Sequence, residues 1–276
     1  MTDIKLIALD LDGTLLDSEK RLSPRSRAAL FAAAEAGIEI VPATGRFCRG
    51  IPESVRALPF LRYAITINGA EVVEVRTGES LYTAEIPLPD ALDVLSFLDT
   101  LPVIYDCYLG GWGYMTASMR DRAGDYIDYI HSLNMVRDLR SGVPELKAFL
   151  REQGKDVQKL QLFTRDIPLR DGLVHTLAER FPALVFTTSL PNNIEINTAA
   201  ANKGDALLAL AGRLGLTRAQ TMAFGDGLND TAMLRAAGCG VAMGNARPEV
   251  KAAADRVTAD CDADGVAAVI EELLAE

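Results

Sequence analysis

Near the start of the chain, Ile4-Lys5-Leu6-Ile7-Ala8-Leu9 is an almost unbroken apolar run, which predicts a β-strand buried on both faces. Leu22-Ser23-Pro24 then opens a helix, with Ser23 at the N-cap and Pro24 at the first helical position. Its apolar positions Ala28, Leu30, Phe31 and Ala34 continue until Gly37 ends it. The pattern repeats with a strand at Ile38-Glu39-Ile40-Val41, a helix carrying Ile51, Val55 and Leu58, and a strand at Ala64-Ile65-Thr66-Ile67. Strands alternating with helices predict a parallel sheet joined by right-handed crossovers. The last third resumes the alternation, from a helix through Leu207, Leu208, Leu210 and Leu214 to a strand at Thr221-Met222-Ala223-Phe224. A helix at 229–236, a strand at 239–243, a helix at 247–254, a short strand at Arg256-Val257-Thr258 and a terminal helix at 265–275 follow.

The middle reads differently. Pro87 and Pro89 mark its beginning, and helix-like stretches at 90–99, 118–133, 144–153 and 169–180 alternate with strand-like ones at 102–108, 112–116, 157–164 and 184–188. Leu109-Gly110-Gly111 predicts a hairpin turn. The expected fold class is α/β: a Rossmann-like parallel-sheet core at 1–82 and 191–276, interrupted by an inserted α+β domain at 83–190. With 276 residues the chain is long enough for a sizeable core in either arrangement.

Composition narrows the partners. A formal net charge of −10 argues against nucleic acid and anionic membrane surfaces, although a local positive pocket for a small anion remains compatible with it. Cys48, Cys107, Cys239 and Cys261 are widely spaced and form no Cys-x-x-Cys pair, which speaks against disulfides or a zinc site and for a reducing compartment. Asp3, Lys5 and Asp10 interrupt any signal-like segment, and no run approaches the ~18 apolar residues of a membrane-spanning helix. The expected location is the cytoplasm.

Candidate chemistry sits where predicted strands end. Asp10 and Asp12 follow the first strand, and Gly13-Thr14 turns the chain. Carboxylates there leave the core at the strand's C-terminal edge, where open α/β sheets place ligands. Such a pair can hold a divalent cation while one member attacks an electrophile and the other handles a proton. Turn chemistry alone explains Asp-x-Asp-Gly-Thr equally well. Thr44, in Thr44-Gly45-Arg46 after the second strand, offers a hydroxyl near backbone N–H groups that suit a phosphate oxygen, or simply a helix N-terminus. Lys203 begins a helix, where a cation opposes the helix dipole. It either faces an anion shared with Asp10 or is a solvated surface lysine. Gly225-Asp226-Gly227-Leu228-Asn229-Asp230 gathers hard oxygen ligands of the kind Mg²⁺ takes, and caps explain one such residue better than three. An EF-hand fails on spacing, and no Gly-x-Gly-x-x-Gly follows the first strand, which removes a dinucleotide site.

Taken together, Asp10-Leu11-Asp12-Gly13-Thr14, Thr44, Lys203 and Gly225-Asp226-Gly227-Leu228-Asn229-Asp230, in this order, resemble the four motifs of the haloacid dehalogenase superfamily of phosphohydrolases. The insertion between the second and third motifs is similar to that of the Cof-type branch. Thr44-Gly45-Arg46, Asn68-Gly69-Ala70, Gly244-Asn245-Ala246-Arg247-Pro248-Glu249-Val250-Lys251 and Asp264-Gly265-Val266 add to that likeness. The resemblance implies Asp10 as a nucleophile that becomes an aspartyl-phosphate, and Asp12 as the acid for the leaving alcohol and then the base for water. It implies Mg²⁺ held by Asp10, the backbone carbonyl of Asp12 and Asp226, with Asp230 in support, and a phosphoryl group bound by Thr44 and Lys203. The inserted domain is expected to be a cap that closes over the crevice.

A phosphate dianion beside Asp10 and Asp226 brings together about four negative charges, of which Mg²⁺ and Lys203 offset about three and an inward Arg46 the fourth. A carboxylate neighbour and burial are expected to raise the pKa of Asp12 toward its acid role. Gly45, Arg46, Asn68, Asn197 and Asn229 are candidate substrate contacts. Tyr105, Asp106, Tyr108, Trp112 and Tyr114 flank the glycine turn and fit either ligand contact or cap core, core being the commoner use. His131 and His175 read as structural or solvent-facing. The leading expectation is a Mg²⁺-dependent phosphatase of a small phosphorylated metabolite, with sugar phosphates favoured and pyridoxal phosphate or flavin mononucleotide next. The alternatives are a phosphomutase or phosphotransferase and a non-catalytic phosphosugar-binding module.

Overall fold

The computed structural model of the protein describes residues 3–128 and 130–275, the side chains of 130–132 and 135 excepted. The chain divides into two compact units, residues 1–83 with 200–276, and residues 84–199. The first unit opens with β1 (Leu6–Leu9), α1 (Pro24–Glu35), β2 (Glu39–Pro42), α2 (Glu53–Arg56), β3 (Tyr63–Thr66), β4 (Glu71–Glu74) and β5 (Ser80–Thr83). The second holds α3 (Leu88–Leu98), β6 (Ile104–Leu109), β7 (Trp112–Thr116), α4 (Ala117–Asp121), α5 (Ile130–Asp138) and β8 (Arg140–Val143), then α6 (Leu146–Gln153), β9 (Lys159–Phe163), α7 (Ile167–Arg180), β10 (Leu184–Thr187) and β11 (Asn193–Thr198). The first unit resumes with α8 (Lys203–Arg213), β12 (Thr221–Gly225), α9 (Thr231–Ala236), β13 (Cys239–Ala242), α10 (Pro248–Lys251), β14 (Arg256–Val257) and α11 (Gly265–Ala275).

The parallel sheet has the order β14-β13-β12-β1-β2, with β1 paired in parallel to both β12 and β2. Alternation along each strand feeds two cores. Ile7, Leu9, Ile40, Met222, Phe224 and Val241 pack with Leu30 of α1 and Ile270 of α11, whereas Leu6, Ala8, Val41, Ala223 and Ala242 pack with Leu207 of α8 and Leu234 of α9. Burial on both sides explains the unbroken apolar runs. Ser23 caps α1 through the Ser26 N–H, as the Ser-Pro pair predicts. Every strand of this sheet points the same way, so the segments after β1, β2, β12 and β13 emerge at one edge.

Two expectations are corrected here. The third strand meets the parallel sheet through a parallel bridge of Ala43 with Ile65 and backbone bonds from Thr44 N–H to Ile65 and from Ile67 N–H to Arg46, each at 2.9 Å, and otherwise turns back into an antiparallel sheet β3-β4-β5. The tight turn at Ile67-Asn68-Gly69, with all three in the left-handed region, returns the chain at once, and a parallel partner needs a long crossover instead. The helix expected through Ile51, Val55 and Leu58 is only a 3₁₀ turn at Cys48–Gly50 and the short α2, separated at Pro52.

In the second unit six strands run β10-β11-β9-β6-β7-β8. The hairpin predicted at Leu109-Gly110-Gly111 is present, with Leu109 opposite Trp112 and both glycines at positive φ. One sheet face is apolar and packs on helices through Tyr105, Cys107, Leu160, Leu162, Ile194 and Ile196. The alternate residues form buried ion pairs, Arg140 to Asp106 and Lys159 to Glu195, each at 2.9 Å. The insertion expected at 83–190 extends further, because Asn193–Thr198 pairs with both β9 and β10. The helix expected at 118–133 is split into α4, a 3₁₀ turn at Ala123–Asp125 and α5. Among the described residues no helix is long and apolar enough to cross a membrane, and the four cysteines are free.

Candidate active site

The edge where β1, β2, β12 and β13 end gathers the residues singled out from the sequence. The β1–β12 ladder continues one step past β1, with the Asp10 N–H donating to the Phe224 carbonyl at 3.0 Å. Ala43 is tied in the same way to Leu9 at 2.7 Å, so Asp10 and Thr44 follow on neighbouring strands. Asp10 and Thr44 are both buried, and Lys203 is wholly so. The Lys203 ammonium donates to Asp10 Oδ1 and to Asp230 Oδ1, each at 2.6 Å. Of the two readings open for Lys203, the buried ion pair is the one present. Asn202 caps α8 through the Asp205 N–H at 2.9 Å, which fixes where the lysine stem begins.

Asp230 organises its own turn. Its Oδ2 accepts from the backbone N–H groups of Asp226 and Gly227 at 3.0 and 2.8 Å, while Oδ1 takes the lysine. Asp226 accepts from the Thr14 hydroxyl at 3.0 Å and from the Asn245 amide at 3.2 Å. Gly13 lets Asp226 approach: its φ is +89°, and a Cβ there would lie 2.6 Å from Asp226 Oδ2. Carboxylate oxygens of Asp10, Asp226 and Asp230 all lie within 4.8 Å of one another.

Asp12 points elsewhere. Its carboxylate receives two parallel bonds from Arg46, Nε and Nη2 each at 2.9 Å, and a third contact from Lys20 Nζ at 3.1 Å. Its side chain is outside the three-carboxylate group, so any part it takes in holding a metal falls to its backbone carbonyl. Arg46 is anchored further by donating to the Gly50 carbonyl at 3.1 Å. Asn68 N–H donates to the Thr44 carbonyl at 3.0 Å, and the Asn229 amide donates to Asn68 Oδ1 at 3.1 Å. Gly45 lies against the same Asn68 amide, so Thr44, Gly45, Arg46, Asn68 and Asn229 form one continuous wall.

The two carboxylates of the first motif sit in opposite electrostatic surroundings. Burial pushes the Asp10 carboxyl up, Lys203 pulls it back and Asp230 raises it again, leaving it at about 7. Burial also favours the neutral form of Asp12, but the Arg46 bonds and charge, with Lys20, outweigh it and hold Asp12 below the usual carboxylate range. The expectation that Asp12 is raised toward an acid is therefore corrected in this conformation, because two cations rather than a second carboxylate are its neighbours. Burial and Asp230 raise Asp226, against the Thr14 bond. Burial opposes the Lys203 charge, and Asp10 and Asp230 more than restore it, holding the ammonium well above its usual range.

The residues singled out in the second unit make the following contacts within it. Tyr105 is in the apolar core and its hydroxyl donates to Asp99. Tyr114 packs on Phe149 with ring centroids 4.6 Å apart, and Trp112 donates to Ser141 at 2.9 Å. Tyr108 and Asp106 both bind Arg140. Asn197 donates to the Gln158 carbonyl at 3.0 Å within the inserted sheet. His175 is exposed, and the His131 side chain lies outside the described residues. Lys20 is a site feature that sequence reasoning did not pick out, and Asn245 was named there only within the Gly244–Lys251 stretch, without a role for its amide. Asn245 had a signal, since it follows β13 at the same sheet edge.

The sequence profile of the haloacid dehalogenase-like hydrolases matches residues 7–270. The chain is 33% identical to the phosphatase YwpJ of Bacillus subtilis, across 98% of this chain and 100% of that protein. It is also 33% identical to the 5-amino-6-(5-phospho-D-ribitylamino)uracil phosphatase YcsE of the same organism, across 97% and 95% of the two chains. A solved haloacid dehalogenase-like hydrolase from Bacteroides thetaiotaomicron superposes with a TM-score of 0.82 at 29% identity, covering 98% of this chain and 99% of that one. With four motifs on one sheet edge and this breadth of match, the chain belongs to the haloacid dehalogenase-like hydrolases, in their Cof-type branch of phosphatases acting on phosphate esters.

Proposed function

We propose that the protein hydrolyses the phosphate monoester of a small metabolite, a sugar or polyol phosphate by preference, through an aspartyl-phosphate on Asp10. The observation that carries this reading is the fully buried Lys203 ammonium, 2.6 Å from Asp10 Oδ1, beside a group of three carboxylates. A cation is buried there only if it meets concentrated negative charge. The substrate for which YcsE is named carries a phosphorylated ribityl chain, which supports the polyol preference.

The donor set fits Mg²⁺. Asp10, Asp226 and Asp230 are hard oxygen donors, and three carboxylates against one lysine leave two uncompensated negative charges, the charge of one divalent cation. Asp10, Asp226 and the Asp12 backbone carbonyl would hold the ion, with Asp230 fixing the turn behind them. When bound, the ion supplies the positive charge that lets a carboxylate approach a phosphate dianion.

In the first half-reaction an Asp10 oxygen forms a bond to phosphorus while the ester P–O bond breaks. As the ester displaces Arg46, Asp12 takes up a proton from solvent and passes it to the departing oxygen. Lys203, Thr44 and backbone groups of the Thr44-Gly45-Arg46 turn hold the phosphoryl oxygens. In the second, Asp12 takes a proton from water as the water oxygen attacks phosphorus, the Asp10 acyl-phosphate P–O bond breaks, and inorganic phosphate leaves. Arg46 and Lys20, back at Asp12, then favour loss of that proton to solvent and restore the carboxylate.

A panel of phosphorylated metabolites assayed for phosphate release, with Mg²⁺ and with a chelator, tests this. Turnover of polyol or sugar phosphates only with the metal is expected, and Asp10→Asn should lower kcat by about 10⁴-fold or more. Phosphate release by Asp10→Asn at the unaltered rate would refute the proposed nucleophile.

A further inference from the structure

Lys20 is a strained residue of the first unit that lies beside the catalytic carboxylates. Its φ is 63°, left-handed backbone that a residue with a Cβ adopts only when its surroundings hold it there. The holding is extensive. Asp17 Oδ1 accepts from the N–H groups of Glu19 and Arg21 at 2.9 and 2.8 Å, and Asp17 Oδ2 accepts from Arg21 Nε at 3.0 Å. The Lys20 N–H donates to the Asp17 carbonyl at 2.9 Å, the Asp17 N–H to the Arg21 carbonyl at 3.0 Å, and the Ser18 N–H to Asp262 at 2.8 Å. A loop bonded this closely presents its apex side chain in one direction. That direction is Asp12, whose Oδ1 lies 3.1 Å from Lys20 Nζ while the lysine side chain keeps 49% of its surface exposed.

Two cations, Arg46 and Lys20, share the single carboxylate of Asp12. Asp226 also feels the Lys20 charge, but its oxygens are engaged by Thr14 and Asn245. One positive charge at the open side of Asp12 is thus left for a ligand. A group hydrogen-bonded to Asp12 would place its oxygen within about 6 Å of the Lys20 ammonium, a distance spanned by substituents on the first carbons beyond that oxygen. We infer that Lys20 contacts the leaving portion of the substrate and, among sugar and polyol phosphates, selects those whose carbon chain carries an anionic group, such as the carboxylate of a sugar acid, two or three bonds beyond the ester oxygen. This rests on Asp12 meeting that oxygen, as proposed above.

The test is a matched pair of ligands, 3-phosphoglycerate and glycerol 3-phosphate, which differ by a carboxylate in place of a hydroxymethyl group. Calorimetric titration into the Asp10→Asn protein with Mg²⁺ reads binding without turnover. Binding about tenfold tighter for 3-phosphoglycerate is expected, with the preference removed by adding Lys20→Met and kept by Lys20→Arg. Equal affinities, binding of neither ligand, or a Lys20→Met change that weakens both alike would overturn the inference. Failure of the phosphatase reading looks different: wild-type protein would release no phosphate from any ester, while the affinity ratio and its dependence on Lys20 stood.

Discussion

Removing the Lys203 ammonium is the most direct test of how this site is held together. At 2.6 Å from each of two carboxylate oxygens, the lysine gains about 6 kcal/mol per contact at an effective dielectric near 20. Dehydrating a wholly buried ammonium cancels much of that, so the net value of the cluster is small compared with the cost of breaking it. Lys203→Met keeps most of the side-chain volume and deletes the charge, leaving Asp10 and Asp230 facing each other and Asp226 with no cation between them. A loss of about 3–5 kcal/mol is expected where all three are ionised. Asp10 already titrates at about 7, because burial outweighs the pull of Lys203, and losing that pull raises it further. A carboxyl whose folded pKa exceeds its unfolded value near 3.8 favours folding below that value and loses this contribution as pH rises through the folded pKa. The gap between wild type and variant should therefore widen from pH 5.5 to pH 8 in a chelator, as read by urea unfolding followed by circular dichroism. Added Mg²⁺ should narrow it at pH 8. A gap below about 1 kcal/mol, or one that is the same at both pH values, would show that Lys203 does not compensate these carboxylates.

Other substitutions probe the remaining parts. Arg46→Met removes both guanidinium bonds to Asp12 and should lower kcat/KM by about 10²-fold, with Arg46→Lys recovering only part because an ammonium cannot make the paired bonds; a loss under threefold would count against the role. Gly13→Ala sets a methyl group 2.6 Å from Asp226 Oδ2 at a φ of +89°, so a lower thermal midpoint and weaker Mg²⁺ binding should appear together. Asp230→Asn offers one carbonyl oxygen where Lys203, Asp226 N–H and Gly227 N–H need acceptors, and about 1–3 kcal/mol of stability should be lost.

What could be read from the sequence depended on how local each signal is. The parallel sheet was legible because burial on both faces writes continuous apolar runs such as Leu6–Leu9, and because Ser23-Pro24 and Asn202 mark helix starts. The strands β4 and β8 were not, since Glu71, Glu74 and Arg140 read as surface residues until Thr66 and Ser80 are seen to satisfy Glu71, and Asp106 to satisfy Arg140. Asn193–Thr198 alternates Ile194 and Ile196 toward the helices with Glu195 toward Lys159, a pattern hidden by the Pro191-Asn192 turn before it. At the site, the acidic motifs announced themselves by density. Lys203 alone was ambiguous, because its partners lie 193 and 27 residues away. The pairing of Asp12 with Arg46, 34 residues on, and with Lys20 from an ordinary-looking polar turn, has no local signature at all.

The opposite surroundings of Asp10 and Asp12 carry a further consequence. A nucleophile must be ionised and an acid protonated, yet the protein's own groups hold Asp10 high, at about 7, and Asp12 low. The protein's own groups thus favour neither charge state, and the site's ligands must supply both. A divalent cation at the carboxylate group favours ionised Asp10, and a substrate that draws Arg46 and Lys20 away from Asp12 favours its neutral form. The first half of this is measurable without turnover. Because the metal competes with a proton on Asp10, Mg²⁺ affinity should fall about tenfold per pH unit below about 7 and level off above it. Titrations at pH 6, in buffers of different ionisation enthalpy, should show close to one proton released per ion bound, and far less at pH 8. An affinity constant from pH 5.5 to pH 8 would mean that Asp10 is already ionised in the empty site, and that Lys203 alone, rather than the metal, sets the charge of the nucleophile.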